Sequence, residues 1–206
     1  MTVTALESKN RGRYRVYLDG EFAFVLYRGE LRSLRIAEGE DLSEADYQKV
    51  VEEILPKRAT VRAMNLLQKK MFAEEELRRK LQDGEYPENA VDAAMEYVIS
   101  YGYVDDVRYA TDYIRYHGQD RSRKRMEQDL ARKGIRRDDF EKAWMECEDL
   151  GLASDENAQI LTLLSKKHYD PETCSREDAS KLANYLLRKG YSYESILRNM
   201  RSFTDL

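Results

Sequence analysis

Apolar and polar residues alternate along the first part of the chain, a period of two that is typical of β-strands. The alternation covers residues 14–18 and 21–26, which flank Asp19-Gly20. A two-residue turn of this composition tolerates positive φ and predicts a β-hairpin with a type I′ turn. Because a lone hairpin is marginally stable in water, we expect residues 2–7 to add a third strand.

Helical periodicity replaces the alternation after the hairpin. Tyr27 to Leu34 predicts a short helix, and Ser43 is a good N-cap for the next one. The apolar face of that second helix leads to Pro56, which predicts that the helix ends there. We therefore expect a first domain, a small β-sheet with helices, at residues 1–56.

From Ala59 onward, one spacing of apolar residues occurs three times. The second copy lies 49 residues after the first and the third lies 56 after the second, without a gap in any of six columns. Steps of four and seven keep residues on one helical face, and steps of five cross a tight turn. In chain order the copies are Leu77, Leu81, Tyr86, Val91, Met95, Val98; Met126, Leu130, Ile135, Phe140, Trp144, Cys147; and Leu182, Leu186, Tyr191, Ile196, Met200, Phe203.

Each copy predicts a unit of three helices, since another helical segment precedes it, at 59–70, 107–116 and 156–167. Lys133-Gly134 and Lys189-Gly190 supply the cation and the glycine that are expected where a helix ends. The predicted fold is mainly α: three tandem three-helix repeats behind a small N-terminal domain of β-hairpin or β-sheet plus helix. The expected repeat bounds are 57–104, 105–152 and 153–206.

The first two repeats resemble the RecX family. Repeats of that family carry an aromatic-x-x-x-Glu-Leu-x-x-Lys-Leu helix, a Gly-Tyr-Leu-Asp-Asp junction and a closing Lys-Gly-Ile. Here the matching segments are 72–81, 102–106 and 133–135. The resemblance is specific over 59–148 and weaker over the third repeat. It departs from the family pattern at the first Lys-Gly stop, which reads Gly84-Glu85-Tyr86, at Val104 and at Ser122.

The resemblance implies a regulator that binds the RecA filament on DNA and restrains its ATPase and strand-exchange activity, in DNA repair and the SOS response. It implies no catalytic residue. Because two cysteines cannot form a zinc site, we also expect no metal site and no cofactor. We accordingly expect a cytoplasmic monomer whose main partner is the RecA filament. Single- or double-stranded DNA would be a secondary contact, and we expect no contact with a membrane.

A dense run of cations crosses the second repeat. Between residues 115 and 137, nine cations face three acidic residues, a local net charge of +6 in a chain of net charge −4. A local excess of this kind steers a polyanion or an acidic partner, although an ordinary solvated helix face has similar residues. This run is the predicted site for the RecA filament or DNA, and Tyr113 and Tyr116 lie beside it. Its members are Arg115, Arg121, Arg123, Lys124, Arg125, Arg132, Lys133, Arg136 and Arg137.

A stand-alone DNA-binding protein that uses the same basic run remains the alternative. An enzyme is disfavoured, because no glycine-rich phosphate loop occurs and neither histidine has a nucleophile at a meaningful spacing. Asp105-Asp106 is better explained as a helix N-cap than as a metal site. Cys147 falls in a core column, and Cys174 lies in a predicted loop.

Overall fold

The computed structural model describes residues 1–153 and 155–200, except for the side chain of Arg11. These residues form a small three-stranded sheet followed by helices. The chain divides into two compact units, Met1–Val104 and Asp105–Leu206. The prediction of a mainly α protein with a small N-terminal sheet is confirmed.

The sheet is antiparallel, and it confirms both the hairpin and the third strand. Asp19 and Gly20 have φ values of 50° and 92°, as a type I′ turn requires. Val16, Phe24 and Leu26 are buried and begin the core of the first unit. In sheet order the strands are β1 (Val3–Lys9), β2 (Arg13–Leu18) and β3 (Glu21–Tyr27).

Two short helices follow the sheet, as predicted. The first is α1 (Arg28–Ser33), and the second is α2 (Glu44–Gln48), which begins at the predicted N-cap. There the Ser43 hydroxyl accepts a hydrogen bond from the backbone N–H of Asp46 at 3.1 Å.

The predicted helix end at Pro56 is wrong. Instead, α2 continues through a π-helical segment, Lys49–Ile54, into α3 (Leu55–Leu67). In this wider turn the N–H of Leu55 donates to the carbonyl of Val50, five residues earlier. A proline inside a regular α-helix collides with the carbonyl four residues before it, and a π-turn displaces that carbonyl. Pro56 therefore lies in the first turn of α3.

Three groups of three helices make up the rest of the described chain, as the repeat pattern predicts. The first repeat contains α3, α4 (Glu74–Gln82) and α5 (Glu88–Ser100). The second contains α6 (Asp106–His117), α7 (Arg123–Ala131) and α8 (Arg137–Asp149). The third contains α9 (Glu156–Lys166), α10 (Arg176–Arg188) and α11 (Tyr193–Asn199).

The repeat columns are core positions. Within the described residues every column member is buried except Tyr86 and Leu182, which are partly buried against the core. Leu81, Leu130 and Leu186 share one column, and each is 0% exposed. Phe203, the last column member, lies outside the described residues.

The glycine column shows why the first repeat departs from its family motif. Gly134 and Gly190 have φ values of 95° and 92°, and Glu85 has 61° at the equivalent position. A left-handed conformation costs a non-glycine residue about 1–2 kcal/mol. The Glu85 carboxylate forms ion pairs with Lys9 of β1 and with Arg15 of β2, the latter at 2.6 Å. Glu85 thus joins the sheet to the first repeat.

The sheet and the first repeat have a common core. Their buried residues form one cluster that begins at Val3 and ends at Val104. The helix through Pro56 crosses the boundary that we expected between 1–56 and 57–104, so these two segments build one unit, Met1–Val104. The finer division into four domains stays a prediction.

Candidate binding surface of the second repeat

The nine cations of the basic run lie at the ends of the three helices of the second repeat. Arg115 is in the last turn of α6, Arg121 is in the next loop, and three cations, 123–125, begin α7. The other four follow the end of α7 or begin α8. All nine are exposed or half-exposed.

Ser122 lies at the start of α7, where the sequence departs from the expected repeat pattern. Its hydroxyl accepts a hydrogen bond from the Arg125 backbone N–H at 3.3 Å, so it is the N-cap. Ser122 is only 2% exposed. Its hydroxyl also donates to the backbone carbonyl of Lys189 at 2.8 Å, which brings the end of α10 against the start of α7.

A buried carboxylate gathers three arginines of the run. Asp129 on α7 is 8% exposed, and it forms ion pairs with Arg121, Arg125 and Arg132. Tyr113 on α6 donates its hydroxyl hydrogen to the same carboxylate at 3.2 Å. These five residues are the Asp129 cluster, and it fixes the positions of guanidinium groups that would otherwise move freely.

The cluster controls the charge of Asp129. Burial by itself would raise the pKa of this carboxyl group, but the hydrogen bonds from Tyr113, Arg121 and Arg132 and the charge of Arg125 outweigh it. The pKa of Asp129 therefore lies below its ordinary value, and the group stays ionised. Burial and the neighbouring Asp129 raise the pKa of Tyr113, so its hydroxyl stays neutral.

A second group of cations packs against α8. The Arg123 guanidinium forms an ion pair with Glu141 and lies 4.8 Å from the centre of the Trp144 ring. Arg137 approaches the same Glu141 at 3.9 Å. Arg136 binds Asp139, which is itself only 6% exposed.

The structure therefore gives the run less free charge than the sequence suggests. Three acids from outside it, Asp112, Asp139 and Glu141, lie within ion-pair distance of its cations. Arg115 pairs with the first of these at 3.9 Å, apart from the Asp129 cluster. Lys124 is exposed and has no carboxylate partner among the described residues. The binding role of the nine residues stays a prediction.

An exposed aromatic group lies beside the Asp129 cluster. Tyr116 is 81% exposed, and its ring meets that of His117 edge to face at 4.9 Å. His117 contacts Tyr113 at 4.3 Å, and Tyr113 in turn contacts Arg121. Burial and the charge of Arg121 lower the pKa of His117, so this ring adds no positive charge near neutral pH.

Sequence reasoning missed three features of this surface. It counted Asp129 only as an opposing charge, although its spacing of four from Arg125 and three from Arg132 indicates helical pairs. It gave no role to Ser122. It also treated Lys189 only as a helix-end cation, because nothing in the local pattern shows that the third repeat reaches α7.

The remaining candidate residues have structural roles. Asp105 is the N-cap of α6, and its carboxylate accepts a hydrogen bond from the Arg108 N–H at 3.0 Å. Cys147 is buried, which raises its pKa and fits a core position. Within the part of the chain that the structure describes, no group of side chains could hold a metal ion. No helix in that part is long and apolar enough to span a membrane.

Fold and surface together define a helical repeat protein with a small N-terminal sheet and an arginine-rich second repeat. A family model described as "RecX, first three-helix domain" matches residues 59–97. A protein named regulatory protein RecX from Caldanaerobacter subterraneus is 29% identical over 198 residues, covering 95% of this chain and 96% of the relative. The chain is thus similar to RecX regulatory proteins over nearly its whole length.

Other relatives agree in fold. Regulatory protein RecX from Levilactobacillus brevis is 33% identical over 136 residues, which are 65% of this chain and only about half (51%) of the relative. A crystal structure of regulatory protein RecX superposes with a TM-score of 0.64 at 23% identity, covering 97% of this chain and 98% of that one. The crystal structure of RecX from Lactobacillus salivarius gives a TM-score of 0.60 at 21% identity, covering 74% of this chain and 99% of that one.

Proposed function

We propose that this protein binds the RecA filament on DNA and restrains its ATPase and strand-exchange activity, in DNA repair and the SOS response. The observation that carries the proposal is the Asp129 cluster, in which Arg121, Arg125 and Arg132 are held at the surface of a chain similar to RecX proteins. Clamped guanidinium groups lose little freedom on binding an anionic partner, so they suit recognition.

The proposal gives the chain a regulatory role in the cytoplasm, as a monomer, and assigns it no catalytic step. The relatives are named as regulatory proteins, which supports this role. A repeat array suits it as well, because stacked helical units offer an extended surface to a large partner.

Steady-state ATP hydrolysis by RecA on single-stranded DNA tests the proposal. We expect added protein to lower RecA turnover at substoichiometric or near-equal ratios, while the protein alone hydrolyses no ATP. Bovine serum albumin at equal concentration controls for nonspecific effects. Unchanged RecA turnover at saturating protein would contradict the proposal, and so would ATP hydrolysis by a clean preparation of the protein.

A stand-alone DNA-binding protein is the second candidate. The exposed Tyr116 ring beside the cations favours it, since proteins that bind single strands combine aromatic rings with a basic groove. Binding to bare DNA and to assembled RecA filaments, each over a series of salt concentrations, separates the two candidates. Weak binding to DNA with clear binding to filaments supports the RecA regulator.

A further inference from the structure

A cavity lies where the third repeat meets the Asp129 cluster. Its volume is about 330 Å³, and four cations line it against a single carboxylate. Two of the cations come from the basic run, and two come from the end of α10 in the third repeat. The lining residues are Asp120, Arg121, Arg125, Arg188, Lys189 and Tyr191.

Backbone contacts fix the shape of this cavity. The Ser122 hydroxyl donates to the carbonyl of Lys189 at 2.8 Å, from a side chain that is almost fully buried. The next residue, Gly190, has a φ of 92°, and a Cβ atom there would lie 2.7 Å from the Ser122 oxygen. Only glycine permits this approach, so the cations of the two repeats are held at a set distance.

The charges that line the cavity are available to a ligand. Arg121 and Arg125 are anchored on Asp129 but remain partly exposed, with 37% and 47% of their side-chain surfaces accessible. Neither Arg188 nor Lys189 has a carboxylate partner in the described part of the chain. Burial and the charge of Glu156 raise the pKa of Tyr191 to about 12, so its hydroxyl adds no negative charge.

We propose that this cavity binds a phosphate group of the single-stranded DNA backbone. The inference rests on the proposed function and deepens it by naming a phosphate site that two repeats build together. Arginine presents N–H groups in a planar fork that matches phosphate oxygens, and Lys189 adds a further positive charge.

The neighbouring rings favour a nucleic acid strand over an acidic protein segment. Ring contacts lead from Arg121 through Tyr113 and His117 to Tyr116, whose side chain is almost free in solvent. A base attached to the bound phosphate could stack on that ring, whereas an Asp or Glu side chain has nothing to stack.

The double variant R188Q/K189Q tests the site, with fluorescence anisotropy of a labelled oligothymidylate over a series of salt concentrations. R176Q/K181Q is the matched control, because it removes the same charge from the first half of α10, away from the cavity. We expect R188Q/K189Q to bind about tenfold more weakly than wild type. The slope of log affinity against log salt should become less steep by about 0.7, which corresponds to one single-strand phosphate. The control should bind like wild type.

A single variant, R188K, keeps the charge at the end of α10 and removes only the guanidinium fork. It should melt like wild type and bind with intermediate affinity, so the proposal remains testable if the double variant folds poorly. An unchanged affinity in a folded R188Q/K189Q would overturn the proposal, and if the double variant does not fold, an unchanged affinity in R188K would overturn it.

The RecA ATPase assay on the same proteins separates this inference from the proposed function. If R188Q/K189Q loses its effect on RecA but binds oligothymidylate like wild type, the cavity contacts protein and the phosphate assignment is wrong. If wild type restrains RecA without measurable binding of oligothymidylate, the phosphate site is again refuted and the proposed function stands. If wild type leaves RecA unaffected while the variant loses DNA binding, the proposed function fails and the phosphate site stands.

Discussion

Asp129 is one carboxylate that three arginines and a tyrosine surround. A carboxyl group whose pKa is lower in the folded state than in the unfolded state stabilises the fold. This contribution is complete at pH values above the pKa of the unfolded state, and it disappears as the pH falls through the pKa of the folded state. Because hydrogen bonds and Arg125 lower the pKa of Asp129 in spite of its burial, its contribution is complete at neutral pH. Protonation of Asp129 at acidic pH should therefore lower the stability of the second repeat.

The variant D129N should be less stable than wild type by about 1–3 kcal/mol, since it leaves buried hydrogen-bond donors without a charged acceptor and the arginines are partly exposed. Urea denaturation at pH 7 measures the difference. At a pH below the ordinary aspartate value of 3.8, the gap between the two proteins should narrow. D112N is the control, because Asp112 is exposed and, among the described residues, pairs with Arg115 alone, at 3.9 Å. A gap that stays constant with pH would contradict the role of Asp129.

Residues in one repeat column should respond alike to truncation. Leu81, Leu130 and Leu186 are fully buried in the second helices of their repeats. Replacing any of them by Ala should destabilise the protein by about 2–5 kcal/mol through lost burial and a new cavity. Thermal and urea unfolding of the three variants measure this, with exposed Leu161→Ala as control. Near-neutral effects at two of the three sites would argue against the column.

At the scale of elements, the start of α7 and the loop before it contain both structural and available cations. Arg121 and Arg125 hold a buried carboxylate, whereas Lys124 is exposed and has no carboxylate partner among the described residues. Reversing all charges between 121 and 125 would therefore mix two effects.

The variant K124E should keep the melting temperature of wild type, because an exposed lysine without an ion pair contributes little to stability. It should weaken binding to RecA filaments on DNA if this end of α7 faces an anionic partner, and the effect should fade as salt rises. R121E/R125E should instead lower the melting temperature, since it places negative charge against Asp129. Co-sedimentation with filaments and differential scanning calorimetry measure both. Equal melting of the two variants would contradict the division of roles.

The elements were predictable where local chemistry decides them. Ser43, Asp105 and the glycines of the second and third repeats mark helix ends through short-range hydrogen bonds and φ preferences. The helix end predicted at Pro56 was wrong, because a π-turn a few residues earlier removes the steric collision by which proline normally ends a helix. Such a turn has no sequence pattern of its own, so the continuous helix could not be predicted.

The candidate site was predictable only as a run of charge. Which cation is clamped depends on Asp129 being buried and on Tyr113 from another helix, and both are tertiary facts. Arg188 and Lys189 join the site through the contact of Ser122 with a backbone carbonyl 67 residues further along the chain. Backbone contacts of this kind leave no trace in composition or periodicity.

At the scale of the whole molecule, the first unit should fold only when it is complete. A chain of residues 57–206 lacks Val50 and Leu55, which are buried in the core that the sheet and first repeat have in common. We expect this truncation to lose the cooperative melting of residues 57–104, whereas residues 105–206, a compact unit, should remain helical and melt cooperatively. Circular dichroism during heating measures both. A cooperative first repeat in the shorter chain would show that the sheet is dispensable.

The ion pairs of Glu85 limit how freely this array could be rearranged. A repeat can be duplicated or exchanged only if it folds without contacts that are specific to one position in the array. Glycine at the end of the second helix meets this condition, because it adopts the left-handed conformation without a compensating contact. The first repeat has given up that glycine for a side chain that needs Lys9 and Arg15 of the sheet. Moved to an internal position, it would keep the unfavourable backbone conformation and lose the cations that compensate for it. The first repeat is therefore specialised as the N-terminal member of the array.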